Sequence, residues 1–86
     1  MPEQHYSKGL IRIDGMTCDL CPTQWDCILP DGRQGFIHYR WGVLSLCDDV
    51  SLGIIERTTS FNSLVVTLEQ VTNWLESLFY ETKLLN

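Results

Sequence analysis

The sequence predicts an α+β domain: an antiparallel β-meander of about four strands, with one C-terminal amphipathic helix packed on one face. Three observations carry that expectation. Residues 24–47, QWDCILPDGRQGFIHYRWGVLSLC, alternate apolar and polar positions around strong turn signals. Residues 68–84 repeat apolar positions at 3.6-residue spacing behind a capping signature. The chain has 86 residues, 44% of them hydrophobic, with three each of Trp, Tyr and Phe, which is enough for one small core. Residues 1–86 therefore read as a single domain, with 1–8 a polar tail expected to fray.

Leu10, Ile11, Arg12 and Ile13 form a short run closed by the turn pair Asp14-Gly15, which predicts an edge strand over 9–13. Residues 14–23, DGMTCDLCPT, keep neither period and read as a loop carrying two thiols, with Pro22 holding Cys21 extended. The meander follows. Over 24–29, Trp25, Cys27 and Leu29 share one face, and Gln24, Asp26 and Ile28 the other. Pro30-Asp31-Gly32 makes a turn because proline presets φ and glycine accepts φ > 0. The next strand covers 36–41, and Gly42 permits a tight reversal into 43–47.

A two-residue loop at Trp41-Gly42 would pair Arg40 with Val43, Tyr39 with Leu44, His38 with Ser45 and Ile37 with Leu46. Opposed residues share a face of the sheet. One face then carries Ile37, Tyr39, Leu44 and Leu46; the other carries Phe36, His38, Arg40, Val43, Ser45 and Cys47. A slip by one residue would mix the two sets, so the pattern selects this register. The first set is the expected core face, and the second is the open face.

Asp48-Asp49 ends the meander. A further short strand is expected over 52–58, then a loop to 63 and a brief extended piece at 64–66. Thr67-Leu68-Glu69-Gln70 fits a capping box. Beyond it Leu68, Val71, Trp74, Leu75, Leu78, Phe79 and Thr82 fall on one side of a helix predicted over 68–84. Burial of Trp74, Leu75 and Leu78 would contribute about 1.5–3 kcal/mol each.

Composition excludes several functions. The formal charge is −5, from six Lys plus Arg against eleven Asp plus Glu. Nucleic acid and anionic membrane surfaces both select for a basic face, so neither is an expected partner. The N-terminus lacks the features of a signal peptide, and no apolar run approaches the roughly 20 residues of a membrane span. A cytoplasmic location with reduced thiols is the expectation, although four cysteines leave a disulfide reading open. No nucleophile elbow, phosphate loop or HExxH pattern occurs, so an enzyme is not expected.

Cys18, Cys21, Cys27 and Cys47 are separated by two, five and 19 residues. The Cys18/Cys21 pair has metal-ligand spacing, which raises zinc as an alternative cofactor to none, with Cys27 or Cys47 completing the site. In the meander Cys27 and Cys47 stand on outer strands, roughly two strand spacings or about 9.6 Å apart, so they do not suit a disulfide.

The string Gly15-Met16-Thr17-Cys18-Asp19-Leu20-Cys21, preceded by Ile11-Arg12-Ile13-Asp14, resembles the GMTCxxC loop of heavy-metal-associated domains, the copper chaperone family. That resemblance implies Cu(I) held by Cys18 and Cys21. It stops there: Pro22 follows the second cysteine, Pro30-Asp31-Gly32 cuts the helix that should follow, and the family's βαββαβ spacing is missing. A longer stretch, residues 21–46, resembles a family of small uncharacterised proteins encoded in bacterial and phage genomes. The shared pattern is Cys21-Pro22-Thr23-Gln24-Trp25 (CPTQW), then Asp31-Gly32-Arg33, then Phe36 through Leu46, which contains the YRxGxLS hairpin. This second resemblance implies a mobile-element origin and a role in modulating host proteins. It implies no activity.

Arg33, His38, Arg40 and Trp41 are the candidate binding residues. Arginines can hold a carboxylate or phosphate in bidentate fashion, and an indole at a hairpin tip is a frequent interface anchor. The functional expectation is a non-enzymatic binding module for a protein partner or a small anionic ligand. A homodimer through the open face or the helix is also compatible with this reading.

Overall fold

The structure, a computed structural model, describes residues 7–18, 23–58 and 66–85. Its elements run β1 (Gly9–Cys18), β2 (Thr23–Ile28), β3 (Gln34–Arg40), β4 (Val43–Asp48), β5 (Ile54–Thr58), α1 (Leu68–Ser77) and β6 (Tyr80–Leu84). The strands form one sheet in the order β5-β4-β3-β2-β1-β6. Neighbours are antiparallel except β1 and β6, which run parallel. The expected four-stranded antiparallel meander is therefore corrected to a six-stranded mixed sheet with one short helix.

The middle of the sheet follows directly from the sequence. β3 and β4 pair Arg40 with Val43, Tyr39 with Leu44, His38 with Ser45 and Ile37 with Leu46, the register that the alternation selects. Ile37, Tyr39, Leu44 and Leu46 are all buried, as are Trp25, Cys27 and Leu29 of the preceding hairpin arm. The β2–β3 turn closes through Leu29 N–H to the Arg33 carbonyl (2.8 Å) and Gly32 N–H to the Leu29 carbonyl (2.9 Å), with Gly32 at φ 92°. Gly35 is obligatory for packing: a Cβ there would lie 2.8 Å from both the Cys47 carbonyl and Leu29 Cδ2.

Two elements differ from expectation. β1 is neither short nor at an edge; it continues through Asp14-Gly15 and lies between β2 and β6. Register shifts between Ile13 and Met16, and between Met16 and Cys18, absorb the turn-prone residues as bulges instead of a reversal. Thus Cys18, expected in a loop, stands in a strand opposite Gln24.

The second difference is the helix, which ends at Ser77 and not at 84. Its start obeys the capping box: Thr67 N–H donates to Gln70 Oε1 (2.8 Å), and Gln70 N–H to Thr67 Oγ1 (3.2 Å). At its end Leu78 N–H bonds the Leu75 carbonyl and Phe79 N–H the Glu76 carbonyl, both at 3.0 Å, which tightens the last turn. Phe79 takes φ 74°, the left-handed position where glycine commonly ends a helix. The chain then pairs with β1, Gly9 against Tyr80 through Ile13 against Leu84. Phe79, placed on the apolar stripe by helical spacing, is consequently exposed.

The sheet curls until its two edge strands share a side-chain bridge. Glu56 of β5 accepts hydrogen bonds from Tyr80 Oη of β6 and from Lys8 Nζ just ahead of β1, each at 2.9 Å. Val71, Trp74 and Leu75 of α1 join the inward residues of the sheet in one core, with Leu68 and Leu78 packed against it. No helix among the described residues is long and apolar enough to cross a membrane.

Candidate functional site

The outer face of β3, β4 and β5 forms an open groove of about 410 Å³. Phe36, His38 and Arg40 make one wall; Val43, Ser45 and Cys47 of β4 make the floor; Ile54 and Arg57 of β5 make the other wall; Trp41 stands at one end. This construction follows from register. Arg57 lies opposite Ser45, which lies opposite His38, while Ile54 lies opposite Cys47, which lies opposite Phe36. Small side chains on the central strand sink beneath long neighbours, and Ser45 and Cys47 are buried although they face outward.

Trp41 owes its position to the hairpin. Trp41 and Gly42 have φ of 55° and 77°, the pair of positive values that a two-residue type I′ turn requires. Asparagine is favoured at the first of these positions, whereas a tryptophan there is strained and, in this case, 80% exposed. The Arg40 guanidinium lies 5.9 Å from the centre of the indole ring, within cation–π range. Phe36 and His38 meet edge to face, 6.5 Å between ring centres.

The groove is locally cationic within an acidic protein. Neither Arg40 nor Arg57 has an ion-pair partner among the described residues. Burial first, and the neighbouring Arg40 charge second, hold the His38 pKa below its ordinary value of 6.5. Burial also pushes the Cys47 thiol up, so the sulfur on the floor stays protonated at neutral pH.

Three of the four candidate binding residues, His38, Arg40 and Trp41, meet in this groove. Arg33 does not. Its guanidinium engages Asp31 (Nε to Oδ2, 2.5 Å) and the carboxylate of Asp48, which is only 4% exposed. Asp48 also accepts from Val50 N–H (2.8 Å) and Ser51 N–H (3.4 Å), so Arg33 serves the buried anchor of the β4–β5 turn. The Arg33 backbone N–H, with its side chain, keeps the Asp31 carboxyl below the usual carboxylate range. Arg57 is the groove residue that sequence reasoning missed. The sequence predicts its strand, and pairing that strand with β4 places Arg57 beside Ser45.

Cys27 and Cys47, the two cysteines whose side chains are described, do not converge on one site. Cys21 lies outside the described residues, as do residues 59–65 of the expected loop and extended piece. Cys27 faces the core at 1% exposure, whereas Cys47 faces the groove. The two stand on opposite sides of the sheet, so no single tetrahedral site can use both. Burial, reinforced by the Asp26 charge, pushes the Cys27 thiol up to about 12, which opposes metal ligation by its thiolate.

No family model matches this chain, and no curated protein or solved structure matches it either.

Proposed function

We propose that this protein is a non-enzymatic binding module that holds an acidic surface of a protein partner in the groove between β3 and β5. One observation carries the reading. Two arginines without carboxylate partners among the described residues share a single open groove with an exposed, left-handed Trp41. Arg40 and Arg57 would pair with carboxylates, and Trp41 with Ile54 would cover the apolar neighbours. A protein partner suits the groove better than a small ligand, because small-molecule sites typically enclose 70–90% of the ligand and this groove is open along its length. Binding rather than catalysis is favoured by chemistry. Burial holds the thiol of Cys47 protonated, which weighs against its use as a nucleophile. Under the resemblance to the phage and bacterial family, the partner would be a host protein.

Tryptophan emission tests this. Trp25 and Trp74 are buried, so the solvent-exposed component belongs to Trp41. A short peptide alternating glutamate and valine should shift that emission to the blue, and Arg40→Ala with Arg57→Ala should abolish the response. A response to citrate or phosphate but not to the peptide would make the partner a small anion. No response to either would overturn the assignment.

A further inference from the structure

We propose that the row Arg57–Ser45–His38, with Arg40 beside it, is a phosphoryl site: it takes a phosphorylated side chain of the partner in preference to a carboxylate. This inference rests on the groove reading above and names the anion that the groove selects. The row follows from register. Ser45 of β4 stands opposite Arg57 on β5 and opposite His38 on β3, and Arg40 lines the same groove. His38 and Arg57 are two strand spacings apart, about 9.6 Å, with a short serine between them. Ser45 is buried, so its hydroxyl lies at the floor, with the longer side chains on the walls at either side. Arg40 comes two residues after His38, about 7 Å along β3 and on the same face. Two guanidiniums, one hydroxyl and one imidazole thus border a single open space.

Charge and donor count decide between the anions. Arg40 and Arg57 bring two positive charges and have no ion pair among the described residues. On the far side of β3, Gln24 lies opposite His38 and Asp26 opposite Phe36, so the nearest carboxylate of β2 is one row away from His38. Burial and the Arg40 charge keep His38 neutral at pH 7.5, where it donates one N–H and adds no charge. A carboxylate carries one charge on two oxygens, and one forked arginine satisfies both. A phosphoryl group at neutral pH carries about −1.5 to −2 on three strong acceptor oxygens. That matches two guanidiniums and leaves acceptor capacity for the serine and the imidazole. Arginine rather than lysine at both charged positions also fits planar, bidentate recognition.

The test uses the full chain, the glutamate–valine peptide, and the same peptide with its central glutamate replaced by phosphoserine. Calorimetry at pH 7.5 should show the phosphoserine peptide binding at least about tenfold more tightly, and the His38 imidazole resonances should shift on its addition. Arg57→Lys keeps the charge and removes the fork, and Ser45→Ala removes the floor hydroxyl. Each should narrow the preference for phosphoserine over glutamate by at least about threefold, while binding of the glutamate peptide reports that the groove is still folded. Equal affinity for the two peptides, or a preference unchanged in both variants, overturns the phosphoryl site and leaves the groove reading standing. Inorganic phosphate binding as tightly as the phosphoserine peptide would assign the row to a free anion and overturn it as well. If neither peptide binds, the groove reading itself fails.

Discussion

At Trp41 φ is 55° and the side chain is 80% exposed, so neither backbone preference nor core packing explains an indole there. A left-handed conformation costs a non-glycine residue roughly 1–2 kcal/mol, and an exposed cation–π contact with Arg40 returns only about 0.5–1 kcal/mol. Trp41→Asn should therefore stabilise the fold by about 1 kcal/mol, raising Tm by roughly 4–8 °C, while weakening peptide binding as read by calorimetry. A thermal melt beside a binding titration checks this, and a lowered Tm would make the indole structural. His38 offers a second residue-level test. Its depressed pKa means that the unfolded chain takes up the proton first. Its contribution to stability is present above about pH 6.5 and is lost as pH falls through the lower folded value. Arg40→Ala removes the smaller of the two causes, so NMR titration of the imidazole should show the pKa moving up and remaining below 6.5. A fixed value would show that the Arg40 charge does not reach the ring.

β6 tests the element that differs most from the sequence expectation. Arg12 and Lys83 are neighbours in the parallel β1–β6 register, and like charges side by side in a sheet are unfavourable. Lys83→Glu should raise stability by about 0.2–1 kcal/mol in chemical denaturation, an effect that 0.5 M salt should shrink. In a helix running to 84 the residue would have no relation to Arg12, and the substitution would be neutral. The contrast shows what the sequence could reveal. β2, β3 and β4 were legible because their alternation, Pro30-Asp31-Gly32 and Gly42 all point to one register, as did the capping box at Thr67. The helix end was not. Leu78 and Phe79 extend a 3.6-residue period, Tyr80, Thr82 and Leu84 fit a period of two equally well, and no glycine or proline marks the change. The deciding term is the open edge of β1, a long-range partner invisible in a local window. The same limit hid Arg57, whose role depends on which strand β5 joins, and the pairing of Arg33 with Asp48, fifteen residues away.

For the molecule as a whole, the curl of the sheet depends on how its two ends are tied. Glu56 carries the tie, accepting from Tyr80 Oη and Lys8 Nζ with its own side chain 19% exposed. Hydrogen bonds to a partly buried carboxylate contribute about 1.5–3 kcal/mol, whereas an exposed ion pair contributes little. Glu56→Ala removes both partners' acceptor and should cost about 1–3 kcal/mol in urea unfolding. Glu56→Gln keeps an oxygen for Tyr80 and loses only the charge facing Lys8, so its loss should be smaller. The distribution of the effect matters more than its size. A tie between edges predicts faster amide exchange in β5 and β6, with β2 and β3 unchanged, because the inner strands keep both neighbours. Uniform acceleration across the sheet would mean that Glu56 supports the core and not the seam. The outer groove lies on the other side of β5 from this carboxylate, so Glu56→Ala should still bind the acidic peptide. Loss of binding with β5 loosened would show that the groove needs the curl.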